Sequence, residues 1–169
     1  RGPGAVKRFT YIPGVHIVAL CDYEQERAER CQGYLRDAGL PPADIYYGEK
    51  GYEQLCARPD IDLVYVCTDW LTHTPMACYA MEHGKHVAVE VPAATTVEEC
   101  WQLVDTAERT RRHCFMLENC CYDTFHQGVL AMERKGLFGE LTHAEGAYIH
   151  DLRYKDDTRQ SKGWMTHLC

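Results

Sequence analysis

Apolar residues in this chain come in short unbroken runs, and stretches with a helical period lie between them. Val15 to Cys21, Leu63 to Cys67, His86 to Val89 and Cys114 to Leu117 are such runs, with Ile45 to Tyr47 a shorter one. Little polar alternation survives in them, as expected of strands covered on both faces of a parallel sheet. The helical stretches are Pro3 to Phe9, Tyr23 to Ala38 (stopped by Gly39 and Pro41-Pro42) and Tyr52 to Ala57. Thr74 is placed to N-cap the next helix, with Pro75 at its first position and Gly84 just past its end. Thr95-Thr96-Val97-Glu98 reads as a capping box opening a helix whose Val97, Trp101 and Val104 share one face. Tyr122 to Lys135 is a last helix, ended by Gly136. Repeated strand–helix–strand units with short connections predict an α/β fold with a doubly wound parallel sheet. Leu141 to Leu152 alternates instead, which suits a half-covered strand and places a domain boundary near Asn119.

Composition narrows the function classes. The chain has 169 residues and a formal net charge of −7, which argues against broad binding to nucleic acid or to anionic membrane. No apolar run approaches the ~18 residues that span a bilayer. Ten cysteines are present, but no C-x-x-C pair. Cys21 and Cys67 sit in strand runs and Cys31, Cys56, Cys78 and Cys100 on helices, where a thiol acts as a small hydrophobe. Cys120-Cys121 is a weak candidate redox pair. The spacing of Cys114, Cys120 and Cys121 does not match a zinc site, so no metal is expected. A targeting segment would lie upstream of Arg1, which leaves cytoplasmic and exported locations both open.

Candidate chemistry gathers at the strand ends, because ligands of open α/β sheets bind beyond the carboxyl ends of the strands. Glu90-Val91-Pro92 closes the run that starts at His86, and Val91 can neither give nor take a proton. Gly2 precedes a helix and a strand that ends in Asp22, 20 residues after Gly2. That spacing fits the last glycine of a Rossmann turn, its phosphate-binding helix and the acid that binds the adenosine ribose. An acid at that position favours NAD over NADP. Asp22-Tyr23-Glu24-Gln25 equally fits a cap on the following helix, so both roles stand. The third strand end is Thr68-Asp69-Trp70-Leu71-Thr72-His73, where an indole and an imidazole meet small polar groups.

Leu20-Cys21-Asp22, Asp60 to Thr68, His73, Met81 to Val87, Glu90-x-Pro92 and Gly136-x-x-Gly139-Glu140 together resemble the Gfo/Idh/MocA family of NAD(P)-dependent oxidoreductases. In that family a catalytic lysine usually stands between the glutamate and the proline; here the position is Val91. Glu90 to Ala94, Met116 to Tyr122 and Glu145 to Arg153 are similar to one branch, the glycoside hydrolase family 109 enzymes, which are NAD-dependent α-N-acetylgalactosaminidases and their relatives. The resemblance implies residues 1–118 as an NAD-binding Rossmann domain lacking its first strand. Residues 119–169 would then begin an α+β substrate domain, whose family Tyr-Pro-Thr-His segment is not in this sequence. On those grounds the isolated chain is expected not to form an active enzyme.

Position by position, the resemblance implies NAD contacts from Arg1, Gly2, Asp22, Thr68, Trp70, Leu71, Thr72, His73, Glu90, Val91 and Asn119. It implies sugar contact and acid/base work at Tyr148, with His150 beside it on the same strand face as the candidate proton relay. The reaction implied is glycoside cleavage through transient oxidation at sugar C3, elimination of the C1 substituent, water addition and re-reduction, with no net use of NAD. The partner is a small carbohydrate, and a homo-oligomer is left open. Two other readings stand beside it: an NAD-dependent sugar or polyol dehydrogenase with a rewired proton donor, and a non-catalytic NAD-binding module.

Overall fold

A computed structural model of the chain describes residues 2–147 and 149. The elements alternate as the apolar pattern requires. In chain order they are α1 (Gly2–Phe9), β1 (Ala19–Asp22), α2 (Gln25–Asp37), β2 (Asp44–Tyr47), α3 (Gly51–Cys56), β3 (Leu63–Val66), α4 (Trp70–Glu82), β4 (His86–Glu90), α5 (Val97–Thr110), β5 (Cys114–Leu117) and α6 (Thr124–Arg134). The chain forms two compact units, the first ending at Leu117 and the second beginning at Glu118. None of the described helices is long and apolar enough to cross a membrane.

In the first unit all pairing is parallel. β1 pairs with β2, and a separate sheet runs in the order β3-β4-β5. The doubly wound sheet is thus split in two, because no described strand lies between β1 and β3. Each half has its own core. Leu20, Ala28, Cys31, Leu35 and Ala43 fill the one under α2. Val66, Ala77, Ala80, Met81, Val87, Val89 and Leu103 fill the one between the three-stranded sheet and helices α4 and α5. β4 is the deepest strand, buried from Val87 to Glu90, which is why its sequence shows no alternation. Arg58 ties the two halves together through ion pairs to Asp44 of β2 at 2.5 Å and to Asp60 at 2.6 Å. The buried Lys85 at the foot of β4 donates to the Arg58 carbonyl.

Several local expectations are corrected. The strand predicted over Val15 to Cys21 is confined to Ala19–Asp22, since its pairing register with β2 begins at Ala19. Helix α4 starts at Trp70 and not at Thr74. The Asp69 carboxylate takes the Leu71 N–H at 3.0 Å and so caps the helix earlier. Pro75 consequently lies inside the helix, and the Thr74 hydroxyl is used elsewhere, donating to the Ala93 carbonyl at 3.1 Å. The capping box is one residue later than read, with Thr96 as N-cap and Glu99 as its partner. Val97, Trp101 and Val104 are 68%, 61% and 45% exposed, and the core is met instead by Leu103 and Thr106. A helical period fixes that a face exists, but packing against α4 decided which residues of α5 are buried. Residues 141–147 form no strand, having no ladder partner among the described residues, while the rest of that predicted strand includes positions outside them.

Candidate active site

The carboxyl ends of β1, β3 and β4 carry the polar groups of the first unit. At the end of β1, Asp22 turns one carboxylate oxygen back to accept the Glu24 N–H at 3.1 Å. Helix α2 has Glu24, not Asp22, as its N-cap, and the Glu24 side chain makes no capping bond. The capping alternative is therefore not the role the fold gives Asp22, which makes a local turn at a half-exposed strand end.

α1 begins at Gly2, and a Cβ there would stand 3.2 Å from Cys67 Sγ, just past β3. A side chain there would crowd the thiol, so glycine lets the helix start press closely on the strand end. Cys67 is itself the meeting point of the site. Burial pushes its thiol up to about 11, and the carboxylates of Glu90 and Asp22 add to the shift. Residues 68 positions apart in sequence thus act on one sulfur.

Beyond β3, the first turn of α4 is an ordered polar knot. The Thr72 hydroxyl lies 2.7 Å from the Thr68 hydroxyl and 3.0 Å from Asp69 Oδ2. Trp70 is half-buried and Leu71 exposed in the same turn. His73, 1% exposed, spans two loops: Nδ1 is 2.7 Å from the Pro92 carbonyl and Nε2 is 3.2 Å from the Thr68 carbonyl. Together with the Thr74–Ala93 bond, it anchors the chain just after Glu90-Val91-Pro92, where the Val91–Pro92 peptide is cis. His73 was read as a cofactor contact; the structure places its two ring nitrogens beside backbone carbonyls, with the ring N–H donating to one of them.

Glu90 ends β4 at 7% exposure and accepts a hydrogen bond from the Tyr65 hydroxyl. Burial, and then that bond to Glu90, push the Tyr65 phenol well above its ordinary value, so it is a donor at any neutral pH. The Tyr65 ring meets Phe9 of α1 edge to face at 5.3 Å. Sequence reading missed Tyr65 and Asp69. The signals were a lone hydroxyl in an aliphatic strand and an Asp two residues before a free N–H. Asn119 falls in the second unit, where its side-chain amide contacts Cys120 Sγ at 3.6 Å. Arg1, Tyr148 and His150 lie outside the described residues. Cys120 and Cys121 are exposed free thiols, and no metal-holding cluster occurs among the described residues.

A dinucleotide fits these features. A helix start is held tight against a strand end by glycine, an acid closes the neighbouring strand, and a buried carboxylate closes a third.

Comparison with known proteins bears on the same residues. Residues 4–118 match the model of the Gfo/Idh/MocA oxidoreductase family, NAD-binding Rossmann fold, and residues 122–167 match the glycosyl hydrolase 109 C-terminal domain. Glycosyl hydrolase family 109 protein 3 of Phocaeicola vulgatus is 66% identical over 152 residues, covering 90% of this chain and 28% of that protein. An α-N-acetylgalactosaminidase of Bacteroides fragilis is 60% identical over 163 residues, covering 96% of this chain and 38% of the enzyme. The chain thus spans about a third of the length of these curated relatives. Among solved structures, an NAD-binding protein from Listeria innocua superposes with a TM-score of 0.66 at 26% identity, over 82% of this chain and 38% of that one. A 3-ketoreductase from Actinomadura kijaniata, in complex with NADP, gives 0.66 at 24% identity, over 80% and 39%, and shares the fold. The chain belongs to the Gfo/Idh/MocA oxidoreductase family, with an NAD-binding Rossmann domain leading into a stretch of glycosyl hydrolase 109 type.

Proposed function

We propose that this protein is an NAD-dependent glycosidase acting on an α-N-acetylgalactosaminide-type carbohydrate. The observation that carries this reading is Val91. It occupies the turn between a buried carboxylate and a cis proline, at the end of the deepest strand, and has no group that moves a proton. A dehydrogenase that exchanges cofactor on every turnover needs a proton relay beside the hydride-transfer site. A cycle that returns its hydride to the same sugar places the demanding proton step at the neighbouring carbon instead. NAD, when bound, supplies the reversible hydride acceptance that acidifies the C2 proton.

The chain's own residues then divide the work. Gly2 and the start of α1 hold the pyrophosphate, Asp22 the adenosine ribose, and the turn from Thr68 to Thr72 with Glu90 and Val91 lines the nicotinamide. Arg1 and Asn119 complete the cofactor contacts, and His73 keeps the Pro92 turn in place. Tyr148 removes the C2 proton, and His150 relays the proton at the C3 oxygen. Residues 1–118 form the nucleotide-binding domain in this reading, and 119–169 begin the substrate domain. The names and identities of the family 109 relatives support the substrate class.

The test is release of the aglycone from a chromogenic α-N-acetylgalactosaminide by the full-length protein that carries this chain, with NAD present, while NADH absorbance is followed. Cleavage without NADH build-up is the expected outcome. Tyr148→Phe should lower cleavage by at least about a hundredfold with NAD affinity retained. NADH accumulating in step with sugar oxidation would replace this reading with that of a dehydrogenase. NAD binding without turnover of any sugar would replace it with a binding module.

A further inference from the structure

Between Val87 and Ala94, Glu90 is the single ionisable side chain, and it is buried. Tyr65 reaches it across the sheet. Tyr65 pairs in register with Ala88, whose small side chain shares a sheet face with Glu90 two residues on. The phenol therefore lies over a methyl group and ends at the carboxylate. Phe9 holds the ring from the helix side. A hydroxyl in mid-strand of an otherwise aliphatic Leu63–Val66 segment costs stability unless it is bonded, and the partner here is the buried carboxylate that ends β4.

We infer that Tyr65 is a positioning residue that fixes the Glu90 carboxylate beside the nicotinamide, and that the pair sets the site's preference for the oxidised cofactor over the reduced one. The inference rests on the reading that NAD occupies this strand end. The oxidised ring carries a positive charge that the reduced ring lacks. A carboxylate held still in a buried site attracts the first far more than the second, because low polarity around it leaves the charge unscreened. Without the Tyr65 hydroxyl the carboxylate loses one of the bonds that orient it, and that discrimination weakens. Tyr65 also touches α1 through Phe9, so the helix that receives the pyrophosphate and the acid at the far end of the cofactor share one contact chain.

The experiment is direct titration of the full-length protein that carries this chain with NAD⁺ and, separately, NADH, for wild type, Tyr65→Phe, Glu90→Gln and the double variant. Tyr65→Phe keeps the ring and its Phe9 contact and removes only the hydroxyl. NAD⁺ affinity should fall about tenfold in Tyr65→Phe with NADH affinity nearly unchanged. Glu90→Gln should show the same selective loss, and the double variant no further loss. Equal losses for the two cofactor forms, or additive losses in the double variant, would overturn the inference and reduce Tyr65 to packing. Should Tyr65→Phe not fold, Glu90→Gln decides alone, since an unchanged NAD⁺/NADH ratio there removes the charge from the argument. Failure of the wild type to bind either form would overturn the cofactor reading and this inference together. A selective, non-additive loss in a protein that cleaves no glycoside would sustain the inference and overturn only the glycosidase.

Discussion

Two carboxylates close strands in this unit, and they are ordered in opposite ways. Asp22, at the end of β1, is half-exposed and is fixed by the N–H of Glu24, two residues away. Glu90, at the end of β4, is buried and is fixed by a hydroxyl 25 residues back in the chain. The first arrangement is a property of three consecutive residues and would survive loosening of the sheet. The second exists only while β3 and β4 are in register. An exposed carboxylate can be held by its own chain neighbours; a buried one needs a tertiary partner.

The largest expected effect tests the tertiary side. His73→Ala removes the imidazole that joins the Pro92 and Thr68 carbonyls and leaves a cavity at a position 1% exposed. A loss of roughly 3 kcal/mol in unfolding free energy is expected, read as a lowered urea midpoint. NAD affinity should fall with it, because the turn after Glu90 loses its anchor. A midpoint within error of wild type would show that the strand end is held by something other than this latch.

Asp22→Ala tests the local side. The Glu24 N–H it strands is exposed and water takes it, so stability should change by no more than about 0.5 kcal/mol. The binding change is larger: NAD affinity should drop about tenfold, and the preference over NADP should shrink or invert. A stability loss as large as that of His73→Ala would erase the distinction between the two carboxylates.

A further local contact gives a smaller effect. Thr96→Ala breaks the reciprocal capping box of α5, in which Thr96 Oγ1 accepts the Glu99 N–H at 3.1 Å, and should cost about 1 kcal/mol in thermal or urea unfolding. Acid titration sharpens the same point. The Thr95 backbone N–H, then the Thr95 hydroxyl and Thr96 backbone, hold the Glu99 carboxyl below its ordinary value. Its folded pKa is depressed, so its contribution is present above the ordinary carboxylate range and fades as pH falls through the folded value. Asp60, lowered chiefly by its hydrogen bonds from Arg58, behaves likewise. Replacing Glu99 by Gln should flatten the acid limb of a stability–pH curve slightly, with no change near neutrality.

The parts of the fold readable in sequence were those decided by neighbours along the chain. The buried character of β4 followed from five successive residues, and Gly39, Gly84 and Gly136 mark helix ends because each adopts a positive φ that other residues resist. Competition between near-equal local signals was harder. Thr74 was read as the cap of α4 and Thr95 as that of α5, yet Asp69 and Thr96 hold those positions. Val97, Trp101 and Val104 were read as one shared face because the period is right, yet the helix turned Leu103 and Thr106 to the core.

The candidate site divides the same way. Asp22, Thr68, Glu90 and Gly2 were legible because the ends of parallel strands are where ligands sit. Tyr65 and the latch by His73 were not, since their partners are 25 and 19 residues distant. By itself the sequence determined the alternation of strand and helix, the family, and the replacement of a proton-carrying residue by Val91. Only the tertiary structure decided that Asp22 turns rather than caps, that His73 braces backbone, and that Glu90 is held by Tyr65. Local signals reach a few residues along the chain, whereas the orientation of a buried charge is fixed by whichever group the packed sheet brings against it.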